Sequence, residues 1–340
     1  VRRNPDPAQP PSLFGALWPL GAALILVLGV SLFVGRYPRP FFTPPGLLWS
    51  DDLAGQLVWS LRLPRVLTAA LLGMTLAGAG TVLQTVFRNP LVEPGFLGVS
   101  QGAAFGAALS IVVLGANLPP LAREAIASVF ALGGLALSYA LARRLRFGGW
   151  VLRLVLAGIA VSALFSSGVG VLKYLADPLT QLPELTFWLL GGLSALTWSG
   201  LFYLLPLVLP GLALMLLMRW RLNLLSLHDE TSFSLGTSPG RERALVLLGA
   251  VVATAAVTAV SGIVAWVGLV VPHLARRAFG ADARVALPAA MLIGGIFTVL
   301  CDDLARTLLA GEIPLGILTS FLGALGFALL MTRTRLRVTA

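Results

Sequence analysis

The stretch "LRLPRVLTAALLGMTLAGAGTVLQTVFRNPLVEPGFLGVSQGAAFGA" (residues 61–107) decides the class of this protein. From residue 66 to 86 it is uncharged and rich in Leu, Ala, Gly and Val. A short polar break with Arg88, Asn89, Glu93 and two prolines follows, and a second apolar run begins near residue 96. A helix of about 20 apolar residues crosses a hydrocarbon layer of roughly 30 Å. Lipid offers backbone N–H and C=O groups no partners, so spanning segments are helices or closed barrels. Neither run alternates apolar and polar residues, which selects helices. Gly98, Gly102 and Gly106 recur at i, i+4 and i+8, and Gly73, Gly78 and Gly80 stand in the first run. Small residues at such spacing let helices approach closely.

The pattern extends over the whole chain. Its 340 residues are 57% hydrophobic and 11% charged, with mean hydropathy +0.91, so no soluble domain of any size remains. The expected fold is a single transmembrane domain over residues 1–340, all-α, with about ten membrane-spanning helices. They are expected at 14–35, 66–86, 96–116, 123–142, 152–174, 198–218, 244–261, 264–278, 285–305 and 314–332. The stretch 244–278 would be roughly 50 Å long as one helix, too long for one crossing and short for two. Ser261-Gly262 and Pro272 interrupt it, so a turn near Gly262 and a short second limb are expected. The chain opens on Val1, which reads as a trimmed N-terminus; the run 14–35 has no convincing cleavage site and reads as a retained span.

Ten crossings put both termini on one side. With that side cytoplasmic, 17 of the 24 basic residues fall inside and seven outside: Arg36, Arg39, Arg62, Arg65, Arg123, Lys173 and Arg306. This bias supports the orientation. It also accounts for the net charge of +10 without any nucleic-acid partner. Arg62 and Arg65 therefore face outward, against the bias.

The longest polar interval, "RWRLNLLSLHDETSFSLGTSPGRER" (219–243), lies between two inner ends. Its leucines and Phe233, broken by Gly236 and Pro239, predict one or two short amphipathic helices offered to a partner. The plainer reading is a helix resting on membrane lipid, which Asp229 and Glu230 make less attractive for an anionic surface. No phosphate-binding G-x-x-x-x-G-K-[ST] loop, no H-E-x-x-H and no G-x-S-x-G occur, and Cys301 is the only cysteine. Neither a catalytic centre nor a metal site is expected. Ser162, Ser166 and Ser167 suit either a polar pore wall or hydrogen bonding between helices. Asp302, Asp303 and Arg306 fall near the outer end of the ninth span, where a pair on one helix face is possible. A proton relay would use acids nearer mid-membrane.

Three blocks carry a resemblance: residues 61–107 above, "SGIVAWVGLVVPHLARRAFGADARVALP" (261–288) and "DDLARTLLAGEIPLGILTSFLGALGFALL" (302–330). Together they resemble the permeases of type II ABC importers, the family that takes up iron-siderophores, heme and cobalamin. The resemblance implies a bacterial inner-membrane homodimer, two copies of this chain around a translocation path. Two cytoplasmic ATPase subunits would supply the ATP and Mg chemistry, and a periplasmic binding protein would deliver substrate. It implies that Arg62, Arg65 and Arg306 meet carboxylates of the binding protein, as exposed guanidinium groups suited to bidentate contact. It implies that Asn89 and Leu91 narrow the cytoplasmic end of the path. The fifth span becomes pore-lining, with Ser162, Ser166 and Ser167. The interval 222–241 becomes the ATPase-coupling segment, with Leu227, Asp229, Glu230, Leu235 and Gly236. Here the chain departs from the family, with His228 where glycine is usual and Ser232-Phe233-Ser234 in place of an alanine-rich stretch; Trp266 stands for a usual phenylalanine.

The expected activity is ATP-driven import of an iron chelate, a siderophore complex or heme, by alternating access. Cobalamin or an oxyanion is the alternative within the family. An ion-coupled secondary transporter is the alternative of another class, with only Asp302 and Asp303 to serve it.

Overall fold

The computed structural model describes residues 13–39, 41–115 and 118–333. Arg2, Arg3, Arg335 and Arg337 of the charge count, and both chain ends, lie outside the described residues. The helices in chain order are α1 (Leu13–Ser31), α2 (Asp52–Val86), α3 (Val99–Leu114), α4 (Pro120–Arg144), α5 (Trp150–Leu175), α6 (Gln181–Leu190), α7 (Trp198–Leu217), α8 (Arg219–Leu225), α9 (Asp229–Ser234), α10 (Pro239–Ser261), α11 (Val267–Phe279), α12 (Ala283–Thr307) and α13 (Leu315–Arg333). A short extended segment, Val34–Arg39, follows α1. Seven of these, α2, α4, α5, α7, α10, α12 and α13, are long and apolar enough to cross a membrane, while α1 and α3 hold shorter apolar stretches. Each expected run falls on a helix, and the chain is an all-α membrane protein.

Helix α2 is the hub. It packs on α7, α10, α11 and, most extensively, α12, and is largely buried, whereas α5 and α13 leave most of their surface open. The contact with α12 needs glycine on both sides. A Cβ at Gly73 would collide with the carbonyl of Gly294, and a Cβ at Gly294 with that of Gly73. Gly102 and Gly106 lie in the same way against the backbone of α4. The small-residue spacing thus marks real crossings.

One expectation is corrected here. The second span does not start at 66 with Arg62 and Arg65 ahead of it. The helix continues back to Asp52, through a π-helical stretch at Leu57–Arg62. Pro64 supplies the reason: it lacks an N–H, and its ring would clash with the carbonyl four residues earlier. A wider turn relieves that clash, and Leu63 N–H bonds the carbonyl of Val58.

The break near Gly262 is present, and the second limb, α11, has 13 residues. That is about 20 Å, shorter on its own than the roughly 30 Å hydrocarbon layer. A helix the hydropathy pattern does not reveal, α6, meets this break. Gly192 N–H donates to Ser261 O at 2.7 Å and Gly316 N–H to Gly191 O at 3.3 Å. Gly191 (φ 71°) and Gly262 (φ 69°) sit in left-handed conformations, and a Cβ on either would strike the other's neighbouring carbonyl. Three interrupted segments therefore satisfy one another's backbone inside the protein, as non-helical backbone at membrane depth must.

Candidate functional site

Four places carry the residues singled out by sequence, and the first is where the Arg65 part of α2 meets the C-terminal end of α12. Arg65 holds Asp302 with both Nε (2.9 and 3.0 Å) and Nη2 (2.7 Å), and its Nη1 bonds Glu312 at 3.1 Å. Arg306 bonds Asp303, donates to the carbonyls of Ser31 (2.9 Å) and Val34 (3.0 Å), and lies 3.3 Å from Asp302 through Nε. Ser31 Oγ donates to Asp303 at 2.6 Å. Arg62 donates to Leu32 O at 3.1 Å and Thr43 Oγ1 at 2.9 Å. Arg62 and Arg65 are each 9% exposed, and Asp302 is 0% exposed. The expectation that these guanidinium groups lie bare to the outside is corrected: Arg65 and Arg306 are paired with Asp302, Asp303 and Glu312, and Arg62 is buried beside them on Leu32 O and Thr43. The cause is the extension of α2, which turns both arginines into the protein, together with acids 237 and 247 residues away in sequence. The pairing of Arg306 with Asp302 and Asp303 on one helix face is as expected.

At the opposite end, α2 runs into the loop 87–98. Arg88 takes a left-handed conformation (φ 49°). Asn89 Oδ1 then accepts from Leu91 N–H at 2.9 Å, a side-chain turn that needs no neighbouring element. Phe87 (4% exposed) and Val92 (2%) anchor the loop, leaving Leu91 at its tip, 54% exposed. Asn89 and Leu91 thus share one turn as a polar–apolar pair.

The serines of α5 divide. Ser166 and Ser167 lie on its open face, Ser167 bonded back to Ala163 O at 2.9 Å. Ser162 instead lines a partly open pocket of about 360 Å³, and its buried Oγ has no hydrogen-bond partner among the described residues. The cavity also meets Glu93, Gln101, Thr254, Thr258 and the break at 263–265. Sequence reasoning missed these. Thr254 and Thr258, four apart in an alanine–valine run, were the available signal.

The interval 219–243 forms two short helices, α8 and α9, ahead of α10. Leu227 (39% exposed), Phe233 (72%) and Leu235 (55%) project from it, with Asp229 and Glu230 also exposed and Gly236 turning the chain at φ 80°. Ser232, one of the departures from the family pattern, is fully buried; its Oγ donates to Leu224 O at 2.6 Å, and Thr237 Oγ1 donates to Ser232 O at 2.7 Å. Arg243 holds Asp229 at 2.7 Å. That hydrogen bond first, then the charges of Arg243 and Arg88, keeps the Asp229 carboxyl below the usual carboxylate range. Phe233, the most exposed of the apolar three, was not among the expected coupling residues. Among the described residues no group of three or more His, Cys, Asp or Glu side chains is arranged to hold a metal.

Comparison with known proteins adds a family to this geometry. The sequence matches the FecCD transport family over residues 23–333. It is 42% identical over 333 residues to the hemin transport system permease HmuU of Yersinia pestis, covering 96% of this chain and 97% of that protein. It is 37% identical over 335 residues to the molybdate import system permease MolB of Haemophilus influenzae, covering 96% of this chain and 98% of that one. Among solved structures it is similar to a metal-chelate type ABC transporter in an inward-facing conformation, with TM-score 0.85 and 36% identity over 93% of this chain and 98% of the other.

Proposed function

This chain belongs to the FecCD transport family, as the multi-pass permease of an ABC importer, and from that premise we propose that it imports an iron chelate, heme or a siderophore complex, driven by ATP hydrolysis on two separate ATPase subunits. The observation that carries the reading is the exposed cluster Leu227, Phe233 and Leu235. Its segment is fastened to α8 through Ser232 and to α10 through Arg243, yet Leu227, Phe233 and Leu235 stay exposed among the described residues. A small apolar patch on a braced cytoplasmic helix fits a cleft in a partner. Leu227, Asp229, Glu230, Leu235 and Gly236 form the ATPase contact, with Phe233 added as its centre. ATP and Mg act on the partner, and no catalytic residue is assigned here.

Two copies of the chain enclose the path. The open face of α5 supports this, because it sets the adjacent hydroxyls of Ser166 and Ser167 where a wet passage would solvate them. Asn89 and Leu91 of each copy close the cytoplasmic end. The outer end, with both termini cytoplasmic as the charge bias indicates, receives a periplasmic binding protein over Arg62, Arg65 and Arg306. Since Arg65 and Arg306 are already paired with carboxylates, docking there proceeds by exchange. Glu312, with 31% of its side chain exposed against 1% for Asp302, is the acid a partner carboxylate replaces. The 42% identity to a hemin permease favours heme; the 37% identity to a molybdate permease favours an oxyanion as the second reading.

Proteoliposomes holding the permease, its ATPase subunit and the cognate binding protein test this. Radiolabelled hemin is expected to accumulate with ATP and to stay outside without it. Accumulation of molybdate in place of hemin would move the cargo to the second reading. Uptake by the permease alone, driven by a proton gradient, would overturn the scheme.

A further inference from the structure

We propose that Arg88 is a positioning residue that transmits movement of the ATPase-facing helix to the cytoplasmic constriction; this rests on the importer reading above. Its neighbours in sequence are the constriction itself, Asn89 and Leu91. Its neighbours in space are on the coupling segment. Nη2 of Arg88 donates to the carbonyl of Leu227 and lies 3.8 Å from Oδ1 of Asp229. The same Oδ1 accepts from Arg243 Nη2 at 2.7 Å, and that nitrogen also reaches Leu225 O at 3.2 Å. One carboxylate thus gathers three elements: the end of α2, the start of α9 and the first turns of α10.

The two contacts on Asp229 differ in kind. Arg243 is buried, and its bond is short; it is the fixed anchor. Arg88 has 38% of its side chain exposed and meets the same carboxylate at a longer distance. A contact of that strength is made and broken at low cost. The backbone of Arg88 is tied to α2. Its left-handed φ of 49° belongs to a Schellman helix end, with Arg88 N bonded to Thr85 O (3.2 Å) and Asn89 N to Gln84 O (3.1 Å). The side chain therefore acts at the fixed start of the loop that carries Leu91. When the ATPase displaces α9, Leu227 and Asp229 move together, and Arg88 carries that displacement into the loop that presents Leu91.

The test reads the constriction without reference to cargo. Spin labels on Leu91→Cys in the two copies report its width; Cys301 is buried and gives little background. With the ATPase subunits bound, ATP is expected to shift the label distance. In Arg88→Gln, ATP is still hydrolysed, but the shifted population falls on the order of 5-fold or more. Asp229→Asn also loses the Arg243 pair and lies in the ATPase contact, so it is read on the label distance alone; there the double variant is no worse than the worse single, as for one shared contact. Arg88→Lys keeps the charge without the fork and retains part of the shift, and it carries the test if Arg88→Gln does not assemble. A full shift in the Arg88 variants, losses that multiply in the double variant, or hydrolysis falling in step with the shift in the Arg88 variants would overturn the proposal. Failure of the unaltered permease to bind an ATPase would instead overturn the importer reading.

Discussion

Asp302 is 0% exposed, so its charge depends on Arg65 and Arg306 alone. A buried ion pair adds little net stability when intact, because desolvation offsets attraction, but removing one partner strands the other. Arg65→Ala is therefore expected to destabilise the folded protein by about 3–5 kcal/mol. Arg36→Ala, at an exposed site, is expected to stay within about 0.5 kcal/mol of wild type. Thermal unfolding in detergent compares the two; equal melting temperatures would show that the cluster is not structural. Only part of the cluster is legible in sequence. Arg306 with Asp302 and Asp303 follows from helical spacing. Arg65 with Asp302 does not, since 237 residues separate them and nothing local records the meeting. A charge next to an apolar run reads as an interfacial residue until its distant partner is known, a carboxylate for Arg65 and the Leu32 carbonyl with Thr43 for Arg62.

Elements follow the same division. Gly73 and Gly294 let α2 and α12 touch backbone to backbone. Gly73→Val is expected to cost about 1–3 kcal/mol through overpacking. Gly133→Ala, on α4 where a Cβ meets nothing within 4 Å, is expected to be neutral or to stabilise by up to about 1 kcal/mol. A common loss in both would mean that close approach is not the cause. Helix α5 predicts a different contrast. Ser166→Cys in the assembled transporter is expected to react readily with a water-soluble maleimide, and Ile25→Cys, 72% exposed on α1, to react slowly because lipid covers it. Equal rates would remove α5 from the path. Hydropathy placed α5 and the break after α10 because long apolar runs and a Ser-Gly interruption are local signals. It did not place α6, whose ten residues are too few to register as a crossing and whose position is set by the carbonyls it meets near Gly262.

For the whole molecule, hydropathy requires a membrane and backbone chemistry then requires helices. The motif blocks point to an importer, and the family match bears out that class. Fold class, the order of the helices and the loops carrying Leu91 and Phe233 were therefore determined by sequence alone, because each depends on composition within one or two helical turns. Tertiary structure alone decided that Arg65 and Arg306 are paired with carboxylates while Arg62 is held by Leu32 O and Thr43, that Ser162 lines a pocket while Ser166 and Ser167 are exposed, and that Arg88 reaches Leu227 and Asp229. Each of these rests on a contact between distant parts of the chain. Coulomb attraction, hydrogen bonding and close packing act over a few ångströms of space, so which residues share that space is known only once the helices are assembled.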